Sequence, residues 1–294
     1  MSFQDSVTGT TYAWLNGQIM ETHRATVGVD DGGWLHGAGL FETILVENGR
    51  AFRFEDHIER LRTSARLMLR PIERDQLPSA DNLADLLQAC ALRRARVRLT
   101  VTAGAMQPGG DQQSNLNVCM TASPLTGYSR VLYDQGAKVL VSRMKVCPSD
   151  PLAGHKTTSY LPRLLALRDA HAAQCLEALW LTTEHHLAEG SVSNIFLISN
   201  DGRILTPHRK TPVLPGVMRA TVMENAPRLG LSCEESELTI NDLLDAREVF
   251  LTNVVMQVMP VVGIERHTVG DGRPGETTRR LMQEVTAAIA RECE

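Results

Sequence analysis

The sequence predicts an α+β / α/β fold in two domains, and three observations predict it. The first third pairs two hairpin signals with runs of helical spacing. Residues 123–129 are rich in turn formers and read as a joint. Beyond the joint, short strand-like runs alternate with helical ones. The expected division is a smaller N-terminal α+β domain over 1–123, a linker over 124–135 and a larger C-terminal domain over 136–294.

Taken in order, Asn16-Gly17 separates Tyr12-Ala-Trp-Leu from Gln18-Ile-Met, a type I′ hairpin signal. A second hairpin runs from 41–47 through Asn48-Gly49 and back over 50–54. Phe54, Ile58, Leu61, Ala65 and Met68 then fall on one helical face, and a further helix is expected from Ser79, a good N-cap, to Arg94. Val97, Leu99, Val101 and Ala103 alternate with Arg96, Arg98, Thr100 and Thr102, the pattern of a half-buried strand, with 115–122 as its partner. In the second half, strands are expected at 138–146, 177–183, 194–199, 203–206 and 248–252. Helices are expected at 160–173, 217–225 and 276–291.

Composition excludes several functions. The 294 residues are 43% apolar, enough for a large core, and the net charge of −4 leaves no basic footprint for nucleic acid. No apolar run is long enough to span a bilayer, and residues 1–11 lack a basic-then-apolar leader, so a cytoplasmic protein without a membrane partner is expected. Six widely spaced cysteines make no Cys-x-x-Cys pair, which fits idle thiols in a reducing compartment. Only four lysines occur, at 138, 145, 156 and 210.

Four segments carry candidate chemistry. Lys156, in Leu152-Ala-Gly-His-Lys156-Thr-Thr-Ser-Tyr160, lies between a strand and a helix; alone it is an ordinary loop lysine, but a pocket that lowered its pKa would make it a nucleophilic amine. Glu189 sits where a strand meets the small-residue turn Gly190-Ser-Val-Ser-Asn194; it reads either as a surface glutamate or as the partner of a protonated ring nitrogen. Leu214-Pro-Gly216-Val217-Met218 opens a helix and leaves free amides that would seat a phosphate. Arg60 lies beside the apolar stripe of its helix, within reach of such a phosphate.

Together these supply an amine, a pyridinium partner and phosphate contacts, the set that pyridoxal 5′-phosphate (PLP) requires. Their order resembles the class IV aminotransferases, from about Trp14 to Leu281. The resemblance implies PLP fold type IV (D-amino-acid aminotransferase-like), with the cofactor between two domains, and a homodimer acting on a small amino substrate. It implies that Lys156 holds the cofactor as a Schiff base and shuttles protons, and that Glu189 binds the ring nitrogen. Arg60, Val217, Met218, Asn253 and Val254 would bind the phosphate, and Tyr160 the phenolic oxygen.

Within the family, three stretches resemble 4-amino-4-deoxychorismate lyase: Gly39-Leu-Phe-Glu-Thr43, Leu152-Ala-Gly-His-Lys156 and Met259-Pro-Val261. The expected reaction yields 4-aminobenzoate and pyruvate. D-amino-acid aminotransferase fits less well, because Ala103 stands where its carboxylate arginine belongs and Phe41 replaces its first-strand tyrosine. Branched-chain aminotransferase stays open, since Arg98 matches a substrate-pocket residue in both. Arg98 also reads as part of a solvated strand face.

Other classes have less support. Gly37-Ala-Gly39 begins a dinucleotide fingerprint, but Glu42 occupies the third glycine position and no βαβ unit follows. Adjacent His185 and His186 on a strand face opposite ways, so no metal is expected. A non-catalytic relative would be expected to lose Lys156 or Glu189.

Overall fold

The computed structural model describes residues 11–105 and 116–294. β1 (Tyr12–Leu15) and β2 (Gln18–Glu21) form the first hairpin, and Asn16 and Gly17 take the positive φ that a type I′ turn demands, 49° and 91°. A short helix, α1 (Gly32–His36), starts where the Asp31 carboxylate accepts from the Gly33 and Trp34 amides. The second hairpin joins β3 (Gly39–Glu47) to β4 (Arg50–Ala51). Its return strand is shorter than the sequence suggests. Arg53 turns the chain at a φ of 51°, and Phe54 already begins α2 (Phe54–Met68).

A capping box between Ser79 and Asn82 starts α3 (Ala80–Ala89), which ends before the expected Arg94. Ala91 takes a φ of 53° there and redirects the chain into β5 (Ala95–Thr102). Its partner is β6 (Asn117–Pro124); the expected start at Asn115 lies outside the described residues. Part of the expected linker is helical, as α4 (Arg130–Gln135).

The remaining elements are β7 (Ala137–Val146), α5 (Leu161–Ala172), β8 (Glu177–Thr182), β9 (Leu187–Gly190), β10 (Asn194–Ile198), β11 (Ile204–Pro207) and α6 (Val217–Asn225). They continue with β12 (Cys233–Ser236), α7 (Ile240–Leu244), β13 (Glu248–Asn253), β14 (Gln257–Ile264), β15 (His267–Thr268) and α8 (Glu276–Glu292). β14 is not expected from the sequence, because Pro260 lies inside it and proline normally argues against a central strand. Pro260 pairs with Phe250 of β13, while pairing with β7 begins only at Val261, so the missing N–H falls before the second ladder.

Two sheets result. The first runs β2-β1-β6-β5-β3-β4, and the second runs β12-β11-β10-β13-β14-β7-β8-β9 with β15 beside β14. In the first sheet Ile44, Val97, Leu99 and Val101 bury one face against α2 and α3. Strand alternation turns Phe41, Thr43 and Leu45, with Arg96 and Arg98, to the other face. Leu45 packs there into a second core with Phe196, Phe250, Val217 and Met218. That packing brings one face of the first sheet against the second half of the chain, and the candidate site lies along the meeting line.

Candidate active site

The free edge of β3 places Lys156. Phe41 N–H donates to the Lys156 carbonyl at 2.9 Å, and Thr158 N–H donates to the Gly39 carbonyl at 2.9 Å. Gly39 permits this approach: a Cβ there would stand 2.9 Å from Thr158 Oγ1 and from the Val101 carbonyl. The Lys156 ammonium therefore lies 4.3 Å from the centroid of the Phe41 ring and 5.8 Å from that of Tyr160. The two rings meet edge to face at 5.3 Å. Burial lowers the Lys156 pKa to about 8, helped by the Arg60 and Arg98 charges and opposed by Glu42 and Glu189. Arg98 stacks on Phe41, its guanidinium carbon 3.8 Å from the ring centroid. The side chain that reads as part of a solvated strand face thus lies on the same ring as the amine.

Glu189 lies in β9 and is buried. Its Oε1 accepts from Arg163 Nη2 at 2.6 Å; its Oε2 accepts from the Leu214 amide at 2.8 Å and from Asn194 Nδ2 at 3.3 Å. Three donors surround the carboxylate and leave lone-pair capacity for one more N–H. Arg163 also donates to the Gly190 carbonyl at 2.9 Å. Just before the same helix, the Tyr160 hydroxyl donates to the Ser191 carbonyl at 2.6 Å. The helix after Lys156 is thereby pinned to the Glu189 turn.

At the other end, Gly216 caps α6 without a side-chain partner. Among the described residues none accepts from the Val217 or Met218 amides. Two unpaired N–H groups at a helix start make an anion seat. Arg60 reaches it from α2: Nη1 donates to the Pro215 carbonyl at 2.9 Å, and Nε donates to Glu42 Oε1 at 2.8 Å. Arg60 Nη2 also pairs with Glu42 Oε2. Burial would raise the Glu42 carboxyl, but Arg60 and His57 overrule it and hold it at about 2. His57 Nδ1 lies 2.8 Å from Glu42 Oε2, and burial keeps this imidazole below its ordinary pKa. Asn253 caps the turn after β13, accepting from the Val255 and Met256 amides at 2.9 and 2.8 Å and donating to the Val192 carbonyl at 3.1 Å. Beside it, Thr252 Oγ1 is buried with no partner.

The family model for amino-transferase class IV matches residues 39–264. This chain belongs to the class IV aminotransferases. A putative branched-chain-amino-acid aminotransferase of Methanocaldococcus jannaschii is 30% identical, covering 92% of this chain and 93% of that one. A D-alanine aminotransferase of Listeria monocytogenes is 27% identical over 95% of this chain and 96% of its own. The crystal structure of a branched-chain amino acid aminotransferase from T.th. with pyridoxamine 5′-phosphate superposes with a TM-score of 0.85 at 25% identity, over 96% of this chain and 94% of the other. The 4-amino-4-deoxychorismate lyase of Pseudomonas aeruginosa superposes with a TM-score of 0.81 at 27% identity, over 94% and 98%.

The fold is PLP fold type IV, and the class IV chain is a PLP-dependent enzyme. Its own residues fit that cofactor. A buried hydroxyl without a partner, two unpaired helix amides and an amine among aromatic rings are polar groups that protein alone does not satisfy. Lys156 would hold the aldehyde carbon, Glu189 the ring nitrogen, and Arg60 with the Val217 and Met218 amides the phosphate.

Four participants escape a reading of the sequence. Arg163 sits seven residues after Lys156, and only the folded helix shows that it faces Glu189. Glu42 reads as one carboxylate in an apolar strand, which is the signal that could have found it. Thr252 is a hydroxyl in Val249-Phe-Leu-Thr252, a similar signal. Asn194 stands within the motif, but its bridge between Glu189 and the Leu214 carbonyl needs the folded chain.

Proposed function

We propose that this chain is a 4-amino-4-deoxychorismate lyase that forms 4-aminobenzoate and pyruvate. The observation that carries the reading is Arg98 stacked on Phe41 beside Lys156, with Arg96 two residues away on the same strand face. Among the described residues no carboxylate forms an ion pair with either arginine. The two guanidinium charges repel, and the Arg98 pKa is pushed down by burial and by Arg96. A substrate carrying two carboxylates relieves that repulsion, and aminodeoxychorismate carries one on its ring and one on its enolpyruvyl arm.

The bound ring, kept protonated at its nitrogen, supplies a sink for the electron pair left when a neighbouring C–H bond breaks. Glu189, fixed by Arg163, Asn194 and the Leu214 amide, holds that proton at the nitrogen. Lys156 Nζ, free to act as a base once the substrate amine is bound, would take the proton from the ring carbon that bears the amine. Departure of the enolpyruvyl oxygen then aromatises the ring. The same Nζ would return the proton to the leaving enol carbon. Tyr160 and Phe41 flank the amine, their ring centroids 5.8 and 4.3 Å from it.

A second reading is a transaminase for branched-chain amino acids, supported by the Methanocaldococcus relative. In it Lys156 would make the same proton abstraction, and no enolpyruvyl group would leave. The two separate by product. Incubation of PLP-loaded protein with aminodeoxychorismate is expected to release 4-aminobenzoate and pyruvate in equal amounts. Glutamate-dependent amination of branched-chain 2-oxo acids, with no 4-aminobenzoate, would replace the lyase reading by the transaminase one. D-amino-acid specificity has less support, because Ala103 offers no carboxylate contact. A dimer and a cytoplasmic location belong to this proposal; among the described residues no helix is long and apolar enough to cross a membrane.

A further inference from the structure

We propose that Glu177 is the positioning residue of this site: its buried carboxylate sets the shape of the Gly190–Ser193 turn, and through that turn it holds Tyr160, Asn253 and Glu189 in register for the cofactor. The proposal rests on the class IV membership and is independent of the lyase reading.

Glu177 opens β8 and is fully buried, at 0% exposure. Its Oε1 accepts from the Ala178 amide at 2.9 Å and the Ser191 amide at 3.0 Å. Its Oε2 accepts from the Val192 amide at 3.1 Å and Ser193 Oγ at 2.9 Å. Burial pushes the pKa of this carboxyl up, and the four donors oppose that. Successive donors at 191, 192 and 193 face one point, the concave arrangement that elsewhere binds external anions. Here the chain fills it with its own side chain.

A second observation comes from Gly190. A Cβ at that position would stand 2.9 Å from Glu177 Cγ and Cδ and 2.2 Å from Ser193 Oγ. The glycine is required by the Ser193 hydroxyl and the Glu177 side chain packed against it rather than by a positive φ. The outward side of the same turn supplies the site. Arg163 donates to the Gly190 carbonyl, Tyr160 to the Ser191 carbonyl and Asn253 to the Val192 carbonyl. The two ends of the turn are Glu189 and Asn194, which meet at 3.3 Å. Thus the inward donors converge on Glu177 and the outward acceptors hold three elements of the site. A change at Glu177 reaches the site through this turn, and its charge also bears directly on Tyr160 and Arg163.

The test uses Glu177→Gln, which keeps the shape but points an NH2 group at the Val192 amide, and Ser193→Ala, which removes one donor. Cofactor-free protein is titrated with PLP and followed by visible absorbance, with thermal unfolding in parallel. Glu177→Gln is expected to weaken PLP binding at least tenfold, and Ser193→Ala by a smaller factor, while both still unfold cooperatively. In a Tyr160→Phe background the Glu177→Gln loss is expected to shrink, because the two act through the same turn. A Glu177→Gln protein that is less stable but binds PLP like the wild type would overturn the proposal. So would losses that simply add in the double variant. If Glu177→Gln does not fold, Ser193→Ala decides: unchanged PLP affinity in that variant sinks the idea.

Discussion

The Lys156 ammonium lies 4.3 Å from the centroid of the Phe41 ring, and no carboxylate pairs with it directly among the described residues. An amine held against aromatic carbon is poorly hydrated, which is why burial brings its pKa to about 8 from 10.5. The rate of PLP capture by cofactor-free protein is therefore expected to rise about tenfold per pH unit below pH 8 and to level off above it. Stopped-flow absorbance measures this directly. Lys156→Met should give no borohydride-sensitive band at any pH.

The same shift has a consequence for folding. Between about pH 8 and 10.5 the unfolded lysine binds more protons than the folded one, so stability of the cofactor-free chain rises with pH across that window. Below it both states are protonated and the penalty is constant. Urea unfolding at a series of pH values should show the slope in the wild type and its loss in Lys156→Met; a wild-type slope of the opposite sign would refute the assignment.

Arg98 is expected to recognise a substrate carboxylate. Arg98→Gln removes the charge and the stacked plane, at a cost of about 1.5–3 kcal/mol for one charge-assisted contact. The expected readout is KM raised roughly tenfold to a hundredfold for a dicarboxylate substrate, with kcat changed far less. Amines that lack the second carboxylate should show no such rise. Arg96→Gln is expected to act in the same direction and more weakly, because Arg96 does not stack on Phe41.

Glu42 links β3 to α2 by a buried pair. Its carboxyl sits at about 2 in the folded chain against 4.5 unfolded, so it contributes stability that is present above pH 4.5 and lost as pH falls toward 2. Glu42→Gln leaves the Arg60 guanidinium short of its partner and is expected to cost about 3–5 kcal/mol near neutral pH. The variant should also lose most of the acid sensitivity between those values. Chemical denaturation with and without saturating PLP would separate the folding loss from any weakening of the phosphate seat.

Much of this is legible in the chain because local rules govern it. Asn16-Gly17, the stripe from Phe54 to Met68 and the alternation from Val97 to Val101 each encode their own geometry. So does the order of Lys156, Glu189 and Pro215-Gly216. Arg163 and Glu177 are not legible, since each acts on residues 14 to 27 positions away through a fold that no local pattern announces. β14 is hidden by Pro260, whose missing N–H falls where only one neighbour ladder has formed. The return strand after Asn48-Gly49 looks longer than it is, because Phe52, Arg53 and Phe54 continue the alternation of a strand although Phe54 already belongs to the helix.

Arg163 and Glu189 supply the last prediction. The pair is mostly buried, at 19% and 4% side-chain exposure, and Arg163 donates to both the carboxylate and the Gly190 carbonyl. Removing one partner of such a pair strands the other, so Arg163→Met is expected to lower the stability of the cofactor-free chain by about 3 kcal/mol or more. Glu189→Gln alone leaves a buried guanidinium and should cost a similar amount. The double variant Arg163→Met/Glu189→Gln is expected to lose less than the two single losses added, because neither charge is then left alone. PLP-loaded Arg163→Met should regain part of its loss, since the ring N–H partners the free carboxylate. Calorimetric unfolding of the four proteins, with and without PLP, checks each term; strict additivity would mean that Arg163 and Glu189 do not act as a pair.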